Sequence, residues 1–272
     1  MSAIDNIQLI QSVFQEAQNY ASKENDRKAI LSHLNKIKHA FTSVAYEGTS
    51  FILAERSIKN NNSLKDWEYF LKETKGLHDS QIHVGLGWAI AAINADLNLY
   101  TQKITPLLYS RVLDGYGYYY AIFKRRIAIR SAQIPNNIRP DQVSAFNQGI
   151  GRSLWYLAEG KIEKLTRLIQ LIQSERHGDL WRGIGIAYTY VGGEPIESIE
   201  RINLLSGEYN KEFLCGIALA LYARNKSGLT LTSSTLIGSH LLKDQNLAVN
   251  TISEFNESDS YLKLIHSLKQ VV

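Results

Sequence analysis

Apolar positions along this chain recur at helical spacing in short stretches, and the stretches themselves recur. In the clearest one, Leu180, Trp181, Ile184, Ala187, Tyr188 and Val191 share one face of a 3.6-residue period. Asp179 precedes them as a candidate N-cap, and Gly192-Gly193 stop the pattern as a left-handed C-cap would. A second helix opens at Pro195, whose missing N–H costs nothing at a helix start, and carries Ile196, Ile199, Ile202 and Leu205 to Gly207. The preceding stretch has the same plan: a helix over 146–157, a break at Glu159-Gly160, then Ile162, Leu165, Leu168, Ile169 and Ile172 along one stripe. The unit is helix, turn, helix.

Near the start of the first helix of each unit stands a small residue, a spacer and another small residue. The six copies are Gly48/Ser50, Gly85/Gly87, Gly115/Gly117, Gly149/Gly151, Gly183/Gly185 and Gly216/Ala218, with first members 37, 30, 34, 34 and 33 residues apart. That is the length of one helical-repeat unit, so the spacing predicts an all-α chain of helix–turn–helix repeats wound as an α-solenoid, a right-handed superhelix of TPR type. One domain over 1–272 is expected, with a helical cap at 1–40, repeats at 41–228 and a second cap at 229–272. The first cap carries two amphipathic helices; the last closes on Tyr261, Leu262, Leu264, Ile265 and Leu268. The prolines at 135 and 140 make 133–140 a loop. Each glycine inside a helix costs about 1 kcal/mol against alanine, and close approach of a neighbouring helix would justify it. A phosphate cradle fits worse, because no copy completes G-x-G-x-x-G or carries a P-loop lysine.

Length alone would strain a single core at 272 residues, but repeats bury their apolar faces on one another. With 44% hydrophobic and 21% charged residues the composition is that of a folded protein. The net charge of +4 is mild and the bases are scattered apart from Lys124-Arg125-Arg126 and Arg130, so no nucleic-acid partner is expected. A single cysteine, Cys215, allows no internal disulfide and suits a reducing compartment. The opening Met1-Ser2-Ala3-Ile4-Asp5 does not resemble a signal peptide, so none is expected, and the longest apolar run, 88–93, is far below the roughly 18–20 residues of a membrane span. A soluble cytoplasmic protein is expected. Neither metal nor cofactor is expected, since histidine pairs at ligand spacing and cysteine clusters are lacking.

Candidate chemistry lies on one row of the repeat. The residue before the first small position is Glu47, Val84, Asp114, Gln148, Arg182 or Cys215; one turn on stand Phe51, Trp88, Tyr118, Arg152, Ile186 and Leu219. Charged groups beside tight helix contacts must be paired, hydrated or functional. Two readings follow: a polar and aromatic groove for an elongated ligand, or inter-repeat ion pairs joining Glu47 or Asp114 to Arg152 or Arg182. His83, one residue earlier, has the pKa of a general acid or base but also suits a structural place. Cys215 in its apolar helix reads as an inert small hydrophobe.

Five segments, Ala45-Tyr46-Glu47-Gly48, His83 to Ala89, Leu113 to Tyr118, Gln148 to Tyr156 and Asp179 to Gly185, together resemble the UnbL-like family of enediyne and related polyketide gene clusters. The likeness spans about residues 40–195 and centres on Glu47, His83, Asp114, Gln148, Arg152 and Asp179. It implies an accessory protein or metal-free enzyme in the making of a polyene or enediyne-like product, without implying a mechanism. On this reading Glu47, His83 and Asp114 handle protons and Arg152 stabilises an anion or enolate. Tyr46, Trp88, Tyr118, Gln148, Trp155 and Arg182 would contact the ligand. The partner would be a polyketide-type molecule or the synthase or carrier protein holding it. The alternative is a helical-repeat adaptor that docks proteins on its concave face.

Overall fold

A computed structural model describes residues 1–131 and 133–272. Among them are fifteen α-helices and no strand. The first seven are α1 (Ala3–Lys23), α2 (Arg27–Leu34), α3 (Thr42–Asn61), α4 (Lys65–Glu73), α5 (Asp79–Ala92), α6 (Leu97–Thr101) and α7 (Pro106–Phe123). Then come α8 (Val143–Leu157), α9 (Ile162–Ile169), α10 (His177–Val191), α11 (Ile196–Ser206), α12 (Asn210–Lys226), α13 (Thr232–Leu241), α14 (Gln245–Ser253) and α15 (Tyr261–Val271). Their starts follow local chemistry. Ser2 and Asp5 form a reciprocal capping box on α1, aspartates at 26, 96 and 244 cap α2, α6 and α14, and Pro106 opens α7.

The expected loop at 133–140 is irregular and ends in a short helical turn, Pro140–Gln142. Asp179 differs from expectation. Helix α10 starts two residues earlier, so Asp179 lies in its first turn, and its carboxylate accepts from Ser144 Oγ at 2.6 Å and Asn147 Nδ2 at 3.2 Å. Cross-helix donors took the carboxylate that the pattern assigned to a cap.

The long helices α3, α5, α7, α8, α10 and α12 each carry one small-residue pair and pack in that order. A Cβ built on Gly85, Gly115, Gly149, Gly183 or Gly216 would fall 1.9–2.4 Å from the carbonyl oxygen of Glu47, Val84, Asp114, Gln148 or Arg182 respectively. Each acceptor immediately precedes the first small residue of the previous copy. The second glycines, Gly87, Gly117, Gly151 and Gly185, approach the carbonyls of Val112, Phe146, Leu180 and Phe213 just as closely. Backbone therefore lies on backbone in one repeated register, and no side chain fits between. Neighbouring long helices run the same way: Ser144 bonds Asp179 near the starts of α8 and α10, while Trp155 meets Tyr188 near their ends at 5.0 Å.

The row returns on itself. Arg224 of α12 donates to the Ala40 carbonyl just before α3 at 2.9 Å, Lys226 pairs with Asp79 of α5 at 3.7 Å, and Asn6 of α1 donates to the Val191 carbonyl at 2.9 Å. The long helices thereby surround a central space that α1 helps to close. Among the described residues, no helix is long and apolar enough to cross a membrane.

Candidate functional site

The central space is a cavity of about 670 Å³, partly open to solvent. Its wall is one helical stripe repeated: positions four before, one before, three after and seven after the first small residue, as in Arg111, Asp114, Tyr118 and Ile122 of α7. In α8, α10 and α12 only the later two positions reach it, among them Arg152, Tyr156 and Tyr190. Phe14 of α1 adds a ring that lies 5.1 Å from Trp88.

Three charged side chains meet in this wall. Arg152 Nε lies 2.9 Å from Asp114 Oδ1, at an angle too poor for a hydrogen bond, and Arg152 Nη2 lies 3.9 Å from Glu47 Oε1. The guanidinium also sits 5.0 Å from the Tyr118 ring centre, within cation–π range. One cation thus faces two carboxylates, all three side chains being largely buried. Burial raises the Glu47 carboxyl from its usual 4.5 to about 7; Arg152 pulls it down and Asp114 adds repulsion. On Arg152, burial works against the charge, but Asp114 and Glu47 outweigh it and hold the guanidinium above its ordinary value. Trp88 stands beside this group with its buried indole N–H lacking a hydrogen bond of normal geometry. The arrangement can hold or move a proton at Glu47 and offer N–H donors from Arg152 and Trp88 to a ligand oxygen.

Of the residues singled out in the sequence, Glu47, Trp88, Asp114, Tyr118 and Arg152 line the cavity, and the other five do not. His83 is buried with Nδ1 2.8 Å from the Asp79 carbonyl, and burial lowers its pKa to about 4, so it stays neutral at pH 7 away from the cavity. The Tyr46 hydroxyl donates to Asn35 Oδ1 at 3.2 Å while its ring stacks 3.9 Å from His78. Trp155 is fully buried against Tyr188.

Gln148 and Arg182 form a separate buried network. Gln148 Nε2 donates to Asp114 Oδ2 at 2.7 Å, so the network braces the cavity from behind. Arg182 Nε reaches Gln148 Oε1 and the Tyr261 hydroxyl, both at 3.0 Å, and its Nη1 and Nη2 donate to Glu212 Oε2 and Asp179 Oδ1, both at 2.5 Å. Tyr261 also donates to Gln148. Helix α15 thereby joins the network through Tyr261, and neither Gln148 nor Arg182 lines the cavity. The inter-repeat ion pairs expected of Glu47 and Asp114 are present, both to Arg152 and both in the cavity wall, while Gln148 and Arg182 belong to a polar network that does not line the cavity.

Sequence reasoning passed over Arg111, Tyr156 and Tyr190. The signal was present, since they occupy the same stripe one helical turn beyond the two rows considered. Cys215 is buried and free, and burial pushes its thiol up to about 12, as an inert core residue requires.

Residues 2–258 match the model of a family described as a protein of unknown function, DUF1702. The chain belongs to that family. No curated protein and no solved structure matches it.

Proposed function

We propose that this DUF1702 member binds an elongated, unsaturated molecule of polyketide type and assists its maturation, as the resemblance to the enediyne-cluster proteins implies. The observation that carries the reading is the cavity of about 670 Å³, lined in part by aromatic rings and holding Glu47, Asp114 and Arg152 together. Its extent matches the ligand: Ser80 and Ala92 of α5 both line it, and twelve residues of helix rise about 18 Å. Conjugated chains are flat and polarizable, and the rings of Trp88, Tyr118 and Tyr156 suit them. With a carbonyl of the ligand at the charged group, Glu47 would take or return a proton beside it while Arg152 holds the oxygen as it gains charge and Asp114 anchors Arg152. The recurrent register of the long helices supports the finer architecture, a TPR-type right-handed superhelix with the shorter helices outside, and the buried free thiol suits work in the cytoplasm. The ligand would arrive from a synthase or its carrier protein.

Fluorescence tests this directly, because Trp88 is the tryptophan in the cavity wall. Titration with a conjugated polyene alcohol should quench tryptophan emission saturably, and Trp88→Phe should remove most of the quenching while the chain stays folded. Unsaturable quenching, or quenching indifferent to Trp88, would sink the proposal. Organic extraction of protein purified from its own host, followed by mass spectrometry, gives an independent readout of a bound polyene.

A further inference from the structure

The polar groups of the cavity are not all spent on one another. Arg152 is shared between two carboxylates, so the central group never carries net positive charge whichever way Glu47 is protonated. Arg111 is different. It lines the same cavity from α7, three residues before Asp114 and so about 4.5 Å nearer the helix start, and it is partly exposed. Among the described residues no carboxylate lies within ion-pair distance of it, and its side chain makes no hydrogen bond. At the same level of the adjacent helix α5 stand Ser80 and Gln81, which also line the cavity and also make no side-chain hydrogen bond. The acidic side chain of α5, Asp79, is paired with Lys226. Toward the other end the long helices contribute Trp88, Ala92, Ile122, Phe123 and Leu157, and α1 adds Phe14 against Trp88 with the amides of Gln11, Gln15 and Gln18 within one turn of it. A cavity about 18 Å long thus has an unpaired cation with a hydroxyl and an amide at one end, and at the other a mainly aromatic and aliphatic wall edged by neutral amides.

We propose that Arg111, with Ser80 and Gln81 beside it, is a head-group subsite that takes the carboxylate of a long unsaturated chain whose tail lies among the aromatic rings. A guanidinium meets a carboxylate through two parallel N–H donors, and the hydroxyl and amide can satisfy its remaining lone pairs. The orientation then presents the carbons near the head to Glu47, Asp114 and Arg152, one turn further in. This inference rests on the proposed function, since it assigns a direction and a chemical class to the ligand of the same cavity.

The test uses the full chain at pH 7 with two probes of equal length, parinaric acid and the corresponding tetraene alcohol, titrated by their own fluorescence. The acid should bind roughly tenfold or more tightly than the alcohol, the size of one charge-assisted pair. Arg111→Gln should remove that preference by weakening the acid alone, and Arg111→Lys should restore part of it. Equal binding of acid and alcohol by the wild type, or an acid affinity untouched by Arg111→Gln, would overturn the subsite while leaving the cavity reading standing. Equal weakening of both probes would make Arg111 a structural residue. If neither probe binds, the cavity reading itself fails and the subsite with it.

Discussion

At Glu47 four effects compete: burial favours the neutral acid, Arg152 favours the carboxylate, Asp114 opposes a second negative charge, and the Trp88 indole N–H beside it favours the carboxylate. Burial wins, and the folded-state value near 7 lies above the 4.5 of an unfolded chain. A raised value means that the folded chain holds its proton more tightly, so the contribution is complete below pH 4.5 and is lost as pH rises through 7. The rise corresponds to on the order of 3 kcal/mol. Glu47→Gln does not titrate, so chemical denaturation at several pH values should show its stability gaining on the wild type by about that amount between pH 4.5 and 8. Parallel pH profiles for the two proteins would refute the assignment. The sequence singled out this carboxylate from its repeat position; its pKa had to wait for the partners, because Arg152 comes from 105 residues away in the chain.

Helix packing sets the next scale. The glycine pairs recur every 30 to 37 residues, and the structure places each one against a neighbouring carbonyl. Alanine is the better helix former by about 1 kcal/mol, so any loss on substitution must come from the contact. A Cβ on Gly149 would fall 1.9 Å from the Asp114 carbonyl oxygen, which is rigid backbone, so Gly149→Ala should cost roughly 1–3 kcal/mol as α7 and α8 separate. Gly178, in the first turn of α10, meets nothing closer than 3.5 Å, and Gly178→Ala should be neutral or gain up to about 1 kcal/mol. Thermal melts of the two variants should move in opposite directions or differ by several degrees. Matching melts would remove the explanation for the repeat's glycines. Spacing alone predicted close approach; it did not say that first and second glycines serve opposite neighbours.

On the scale of the whole molecule, one buried apolar cluster includes residues from Ala3 to Val272, and the last helix does more than close it. Tyr261 of α15 reaches Gln148 and Arg182, and so ties the last helix to the network behind Asp114. Tyr261→Phe keeps the ring and deletes the hydroxyl, leaving buried partners short of one bond, which should cost roughly 1–3 kcal/mol. Because the hydroxyl lies outside the cavity, polyene quenching of Trp88 should persist at temperatures where the variant is folded. An unchanged melting midpoint would show that α15 merely rests on the network.

Helical class, the repeat length and the stripe bearing Glu47, Trp88, Asp114, Tyr118 and Arg152 were determined by the sequence itself, because a fixed spacing puts equivalent residues on one helix face whatever surrounds it. What surrounds that face was decided by tertiary structure. The return of α12 to α3 and α5 turned a row into a cavity, and Gln148 and Arg182 bond Tyr261, from 113 residues beyond Gln148, instead of lining it. The burial of His83 and Trp155 and the lack of an ion-pair partner for Arg111 have the same origin. Periodicity records where a side chain stands on its helix; pairing between segments far apart in the chain determines whether water, a ligand or another helix meets it.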